Sequence, residues 1–182
     1  RWKGSYRVKS MEDGLTIIRN VMRAGIKPSV VRIHDWLECE KPYGAFMEEG
    51  EALLLFLTEG VKEVTETQGK LIDRIALENN GIAAGEKPVD IWYRHRNDAA
   101  DEYEKYGTKG FLVDTIEISA YWSDIHKIYE ETVDRVYNEV SEVLFFSGHS
   151  SHSYLNGTNI YFQLGAYPEA SMEEAQRIHS QV

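Results

Sequence analysis

The sequence predicts an α+β fold: ferredoxin-like antiparallel sheets with helices on one face, in a duplicated βαββαβ arrangement whose second copy is truncated. Three observations lead there. Stretches alternating at period two and stretches at helical spacing follow one another in the order βαββαβ, and the same order restarts after residue 108. The run "ALLLFL" at 52–57 is apolar at every position, as in a strand buried on both faces. The hydrophobic content of 42% over 182 residues is enough to bury roughly 70% of the unfolded surface.

Tyr6–Val8 reads as the first strand, and Ser10 with Asp13 three residues on forms a capping signal for a helix carrying Leu15, Ile18 and Met22. Gly25 and Pro28 stop that helix, and "SVVRI" (29–33) is the second strand. A long polar loop with Pro42 and Gly44 leads to the central strand "ALLLFLTEG". Val61, Val64, Leu71 and Ile75 mark a long helix ending at Asn80 and Gly81, and "GIAAG" is a small-residue strand. A helical connector, with Pro88 in its first turn and then "DIWYRHR", joins the halves. In the second half, "GFLVDTIEIS" is a strand, and Ser123 opens a helix with Ile125, Ile128, Tyr129, Val133, Val136 and Val140 inward. "VLFFSGHSSHSY" and "TNIYFQLGA" form a hairpin, and a helix begins near Ser171. The two halves, about 1–86 and about 108–182, are expected to share a core as one domain over 1–182. A start at Arg1 without methionine and a stop inside a helical stretch lead us to expect an excised piece of a larger protein.

The net charge of −10 argues against nucleic acid or an anionic membrane face as the main partner, while a small anion held by local arginines stays open. The single cysteine, Cys39, forms no internal disulfide and points to a reducing compartment. No apolar run is long enough to span a bilayer as a helix.

The chemistry-bearing residues cluster at the hairpin. Asn156-Gly157 has the residues of a type I′ turn, which places His152 and Tyr154 on one face with Tyr161 near the register opposite. A phenol beside an imidazole can act as general acid or base, although ordinary cross-strand packing of aromatics gives the same spacing. "VVRIHD" sets Arg32 and His34 on one strand face, where an arginine can hold a carboxylate or phosphate, or form a surface ion pair with Asp35. Arg94, His95 and Arg96 share a helical turn, as an anion site or a solvated face. His126, His149 and His179 lack metal-ligand spacing and read as structural or exposed, so no metal site is expected.

"VVRIHD", "GIAAGEK", "FLVDTIEISAYWSDI" and "SHSYLNGTNIYF" together resemble the C-terminal cap, or substrate, domain of the FAD-linked, vanillyl-alcohol-oxidase-type flavoproteins, most of all their alkyldihydroxyacetonephosphate synthase branch. The resemblance implies FAD bound mainly by a preceding domain absent from this chain and leaves room for a homodimer; the reducing compartment read from Cys39 is expected to be the cytoplasm, with peripheral membrane contact of the parent left open. The resemblance implies that the fragment alone is inactive. By position, Tyr161 matches the catalytic tyrosine, with His152 beside it. Arg32, Tyr154, Arg94 and Arg96 become candidates for substrate binding, and Glu86 and Asn159 for contacts to the cofactor. The stretch "DEYEKYGTKG" lacks the arginine with which that branch binds phosphate. The expected reaction is exchange of acyl for alkyl on a lipid-like dihydroxyacetone phosphate in ether-lipid synthesis. The alternative is FAD-dependent oxidation of a D-2-hydroxy acid such as lactate or glycolate, and a non-enzymatic ligand-binding module is the third reading.

Overall fold

In the computed structural model, which describes residues 1–98, 105–168 and 171–182, seven strands form a single antiparallel sheet. The strands are β1 (Trp2–Val8), β2 (Val30–His34), β3 (Ala52–Thr58), β4 (Ile82–Gly85), β5 (Leu112–Tyr121), β6 (Val143–Ser150) and β7 (Gly157–Ala166). Their order is β4-β1-β3-β2-β6-β7-β5. The first four have the ferredoxin-like order, and the last three repeat part of it. The two expected sheets therefore join edge to edge through β2 and β6, at the pairs Ile33↔Ser150 and His34↔His149.

The helices are α1 (Met11–Arg23), α2 (Trp36–Tyr43), α3 (Lys62–Glu78), α4 (Lys87–His95), α5 (Ile125–Glu139) and α6 (Met172–Gln181). Ser10 caps α1 as expected, its hydroxyl accepting from the Asp13 N–H at 3.1 Å. Strand β3 is buried along its whole length because its two faces enter two cores. Leu54 and Phe56 pack with Ile17 and Ile18 of α1 and Ile72 and Ala76 of α3. Leu53, Leu55 and Leu57 pack with Cys39 and Tyr43 of α2 and Val89 of α4. Each large side chain buried there contributes roughly 1.5–3 kcal/mol.

Two local expectations give way. The loop around Pro42 is a helix over most of its length: Asp35 caps α2 by accepting from the Glu38 N–H at 3.1 Å, and Pro42, in the last turn, only ends it. The buried stripe of α3 is Thr65, Gly69, Ile72 and Ala76, whereas Val61 and Val64 are exposed. The Trp2 ring fills the space over Gly69, where an added Cβ would lie 2.4 Å from it, so glycine is needed at that position.

α2 and α4 cover the odd-numbered side of β3, and α2 reaches across to β6 and β7 through Glu38, the rest of that side of β5 and β7 carrying no helix among the described residues. The other side of β5, β6 and β7 packs Ile116, Ile118, Phe146, Ile160 and Phe162 against α1 and α5. No helix in the described residues is long and apolar enough to cross a membrane.

Candidate functional site

The helix-poor side is polar because the strands alternate. Register pairs Arg32-bearing β2 with β6 at His34↔His149, β6 with β7 at His149↔Tyr161, and β7 with β5 at Tyr161↔Glu117. Arg32, His34, His149, Tyr161, Gln163 and Glu117 thus share one surface.

Glu38, reaching over from α2, is the centre of this surface. Its carboxylate accepts from His149 Nδ1 and Gln163 Nε2, each at 2.7 Å, and from His34 Nδ1. Burial works to raise the Glu38 carboxyl, but its interactions with His34 and His149 outweigh it and hold the group well below the usual carboxylate range. Burial pushes the His34 imidazole down to about 4, against the pull of Glu38. His34 is therefore neutral near pH 7, as its contacts require: Arg32 Nε donates to its Nε2 at 3.2 Å, so its own proton sits on Nδ1.

His34, Glu38 and His149 offer ligand atoms within 4.8 Å of one another, a spacing that sequence separation hid. The donor from Arg32 weighs against a metal there. A cation on His34 Nδ1 would put the imidazole proton on Nε2, facing the Arg32 N–H.

Asp35 lies beneath the surface. It accepts from the Glu38 N–H, from the Gly148 N–H at 2.5 Å and from the Tyr129 hydroxyl at 2.9 Å, so it pins β6 and α5 to the start of α2 and makes no pair with Arg32. Burial, with the charge of Glu38 second, pushes its carboxyl up to about 6 against these donors. Arg32 lies over the Trp92 ring at 5.5 Å, and its terminal nitrogens make no hydrogen bond among the described residues.

A pH effect follows. Below the ordinary value of 6.5 the unfolded chain takes up a proton at His34 that the folded chain refuses until about 4, so His34 removes stability as pH falls through that window. Asp35, raised to about 6, acts in the opposite sense over about 4–6. The His34 contribution is therefore read as a difference: the stability of the wild type relative to His34→Gln should drop by on the order of 3 kcal/mol between pH 7 and 4. Parallel profiles for the two proteins in denaturant titrations would contradict this.

The structure rearranges the expected hairpin. Strand β6 ends at Ser150, and neither Asn156 nor Gly157 has positive φ, so the connection is not a type I′ turn. The Asn159 amide oxygen accepts from the Ser151 and His152 N–H groups at 3.0 and 2.8 Å, so pairing beyond Ser150 is reduced to the Asn159 N–H to His152 O bond and a bridge between Ser153 and Thr158. Gly157 is required for a different reason: an added Cβ would lie 2.1 Å from Ala120 O on β5. The imidazole against Tyr161 is that of His149, with ring centroids 5.4 Å apart and planes 16° apart. His152 is exposed, near Glu117 and Asn159, and Tyr154 is exposed in the connection.

The remaining candidates lie elsewhere. Asn159 spends its amide on backbone and on Glu117. Glu86 sits exposed after the edge strand β4, at the start of α4, away from Glu38 and Tyr161. Arg94 turns back to Asp90 O and Arg96 stacks on Tyr93, both exposed. Of the stretch lacking a phosphate-binding arginine, residues 101–104 lie outside the described residues. Cys39 is buried, which raises its thiol and leaves it unreactive.

The model of the FAD linked oxidases, C-terminal domain, matches residues 4–182, and the chain belongs to that family. It is 31% identical over 168 residues to an uncharacterized FAD-linked oxidoreductase, YgcU, of Escherichia coli strain K12, and equally to that of strain O157:H7. The alignment takes in 86% of this chain and 34% of those proteins, so the chain spans about a third of the curated relatives it matches. Among solved structures, alkyldihydroxyacetonephosphate synthase in two crystal forms superposes with TM-scores of 0.83 and 0.81 at 15% identity. Those superpositions take in 98% and 99% of this chain and 38% and 39% of theirs, a likeness of fold.

Proposed function

We propose that the chain is the substrate-facing portion of a flavin-dependent oxidoreductase that oxidises a small hydroxy acid. The observation that carries this reading is the convergence, on one side of the sheet, of the Tyr161 phenol, the His149 imidazole and the Arg32 guanidinium, whose terminal nitrogens make no hydrogen bond among the described residues. The family gives the cofactor class, and the residues fit it as a facing surface: the sequence has no glycine-rich phosphate loop, so FAD would be held by another part of the protein with this polar side against it. Bound there, the flavin would supply two-electron acceptance. Arg32 binds the substrate's anionic group, the Tyr161 hydroxyl meets its reacting oxygen, and docking of the two surfaces excludes water.

Charge balance favours a carboxylate. Arg32 is the only lysine or arginine that β2, β5, β6 and β7 contribute to this side, and Glu38 and Glu117 stand on it too. With one guanidinium against two carboxylates on this side, a monoanion adds one negative charge where a phosphate dianion would add two. A phenol at position 161, by resemblance, and the likeness to alkyldihydroxyacetonephosphate synthase support the second reading, exchange of acyl for alkyl on dihydroxyacetone phosphate.

Arg32→Gln in the full-length protein should raise the KM for a hydroxy acid about ten- to a hundredfold, with a smaller change in kcat. Arg32→Lys should recover only part of it, because the planar fork is lost. An unchanged KM for every hydroxy acid turned over would contradict the carboxylate site.

A further inference from the structure

The proposed function leaves the His149 imidazole without a role, yet its contacts orient it. Its Nδ1 donates to Glu38 Oε1 at 2.7 Å, and the same carboxylate is anchored by Gln163 and His34. A neutral imidazole carries one proton, so an Nδ1–H held in this way leaves a bare lone pair on Nε2. That nitrogen has no hydrogen-bond partner among the described residues, and it is not sealed off from solvent. His34 shares the carboxylate, but its Nε2 is already taken by Arg32. The titratable groups facing His149 are Glu38 from α2, His34 from β2 and Tyr161 from β7.

We propose that His149 is the proton acceptor of this site and Glu38 its positioning residue. This rests on the oxidoreductase reading above. The two side chains over the substrate divide the work by their chemistry: a neutral phenol has a proton to donate, and a neutral imidazole has a basic lone pair. In the step, the substrate O–H bond breaks and its proton goes to His149 Nε2. The C–H bond breaks with its electron pair, which leaves as hydride to a flavin-class acceptor, and the C=O bond forms. Tyr161 keeps a hydrogen bond to that oxygen. Glu38 fixes the tautomer and stabilises the imidazolium that results.

The test uses full-length protein labelled with 15N-histidine. NMR near pH 7 should show the His149 proton on Nδ1 with Nε2 bare, and Glu38→Gln should mix the two tautomers. Anaerobic flavin reduction by D-lactate or glycolate should fall roughly a hundredfold in His149→Gln, with loss of the acid limb of its pH profile. Glu38→Gln, which keeps the imidazole, should fall about tenfold. Flavin absorbance and melting temperature verify that each variant is folded. A proton on Nε2 in the wild type, or a His149→Gln profile that keeps its magnitude and acid limb, overturns the proposal. Wild-type protein that no hydroxy acid reduces overturns the substrate reading instead, and the nitrogen carrying the proton then supports or overturns the assignment of His149 by itself.

Discussion

Tyr161→Phe is expected to slow substrate-dependent flavin reduction in the full-length protein by roughly a hundredfold or more, the usual loss for one group that donates or moves a proton at a reacting atom. The expectation comes from position. Tyr161 is half-buried on β7, and its ring is held by His149. Its hydroxyl makes no hydrogen bond within the described protein, so the polar end is free to meet a ligand while the ring keeps its place. Removing the oxygen therefore costs no internal contact, and the melting temperature should change little. Rapid-mixing measurements of flavin reduction, paired with a melting curve, check both halves. A rate within threefold of wild type would remove Tyr161 from the chemistry and leave it as packing for His149.

Asp35→Ala should have the largest effect on stability among the surface-forming residues, about 3–4 kcal/mol. The substitution strips the acceptor from three donors at once: the first turn of α2, the Gly148 N–H in β6 and the Tyr129 hydroxyl on α5. The Gly148 N–H is buried, and left unpaired it costs about 1–3 kcal/mol, with the lost helix cap adding about 0.5–2. Asp35→Asn, which keeps one acceptor oxygen, should lose about half as much. Because the two halves of the sheet meet at only two residue pairs, this loss also loosens α2 and with it Glu38. Denaturant titration checks the value, and a loss under about 1 kcal/mol for the alanine variant would mean that water replaces the carboxylate at little cost.

Most of the fold was legible because it is written in local signals. The Ser10 cap, the stripe of α5 and the doubly buried run of β3 each follow from neighbouring residues, and the structure bears them out. The joining of the halves was not legible. Asp35 and Gly148 are 113 residues apart, and strand pairing at that range leaves no local pattern. Helix α2 was hidden by Pro42, although Asp35 with Glu38 three residues on is the same capping signal that was read correctly at Ser10. The hairpin misled for a side-chain reason, since the Asn159 side chain takes the Ser151 and His152 N–H groups that a regular ladder would use. What the sequence did offer for the site was alternation: "TIEIS", "FFSGHS" and "NIYFQL" each put polar residues on one side, and aligning the three would have placed His149 beside Tyr161 and Glu117.

The most direct test of the account is the anaerobic absorbance of the full-length flavoprotein, mixed separately with D-lactate, with glycolate and with an acyl dihydroxyacetone phosphate. Bleaching by a hydroxy acid, slowed by Tyr161→Phe and weakened in affinity by Arg32→Gln, is the result predicted. Bleaching by the acyl ketone phosphate alone, with colour restored by a fatty alcohol in the absence of oxygen, would contradict it and establish exchange chemistry in its place.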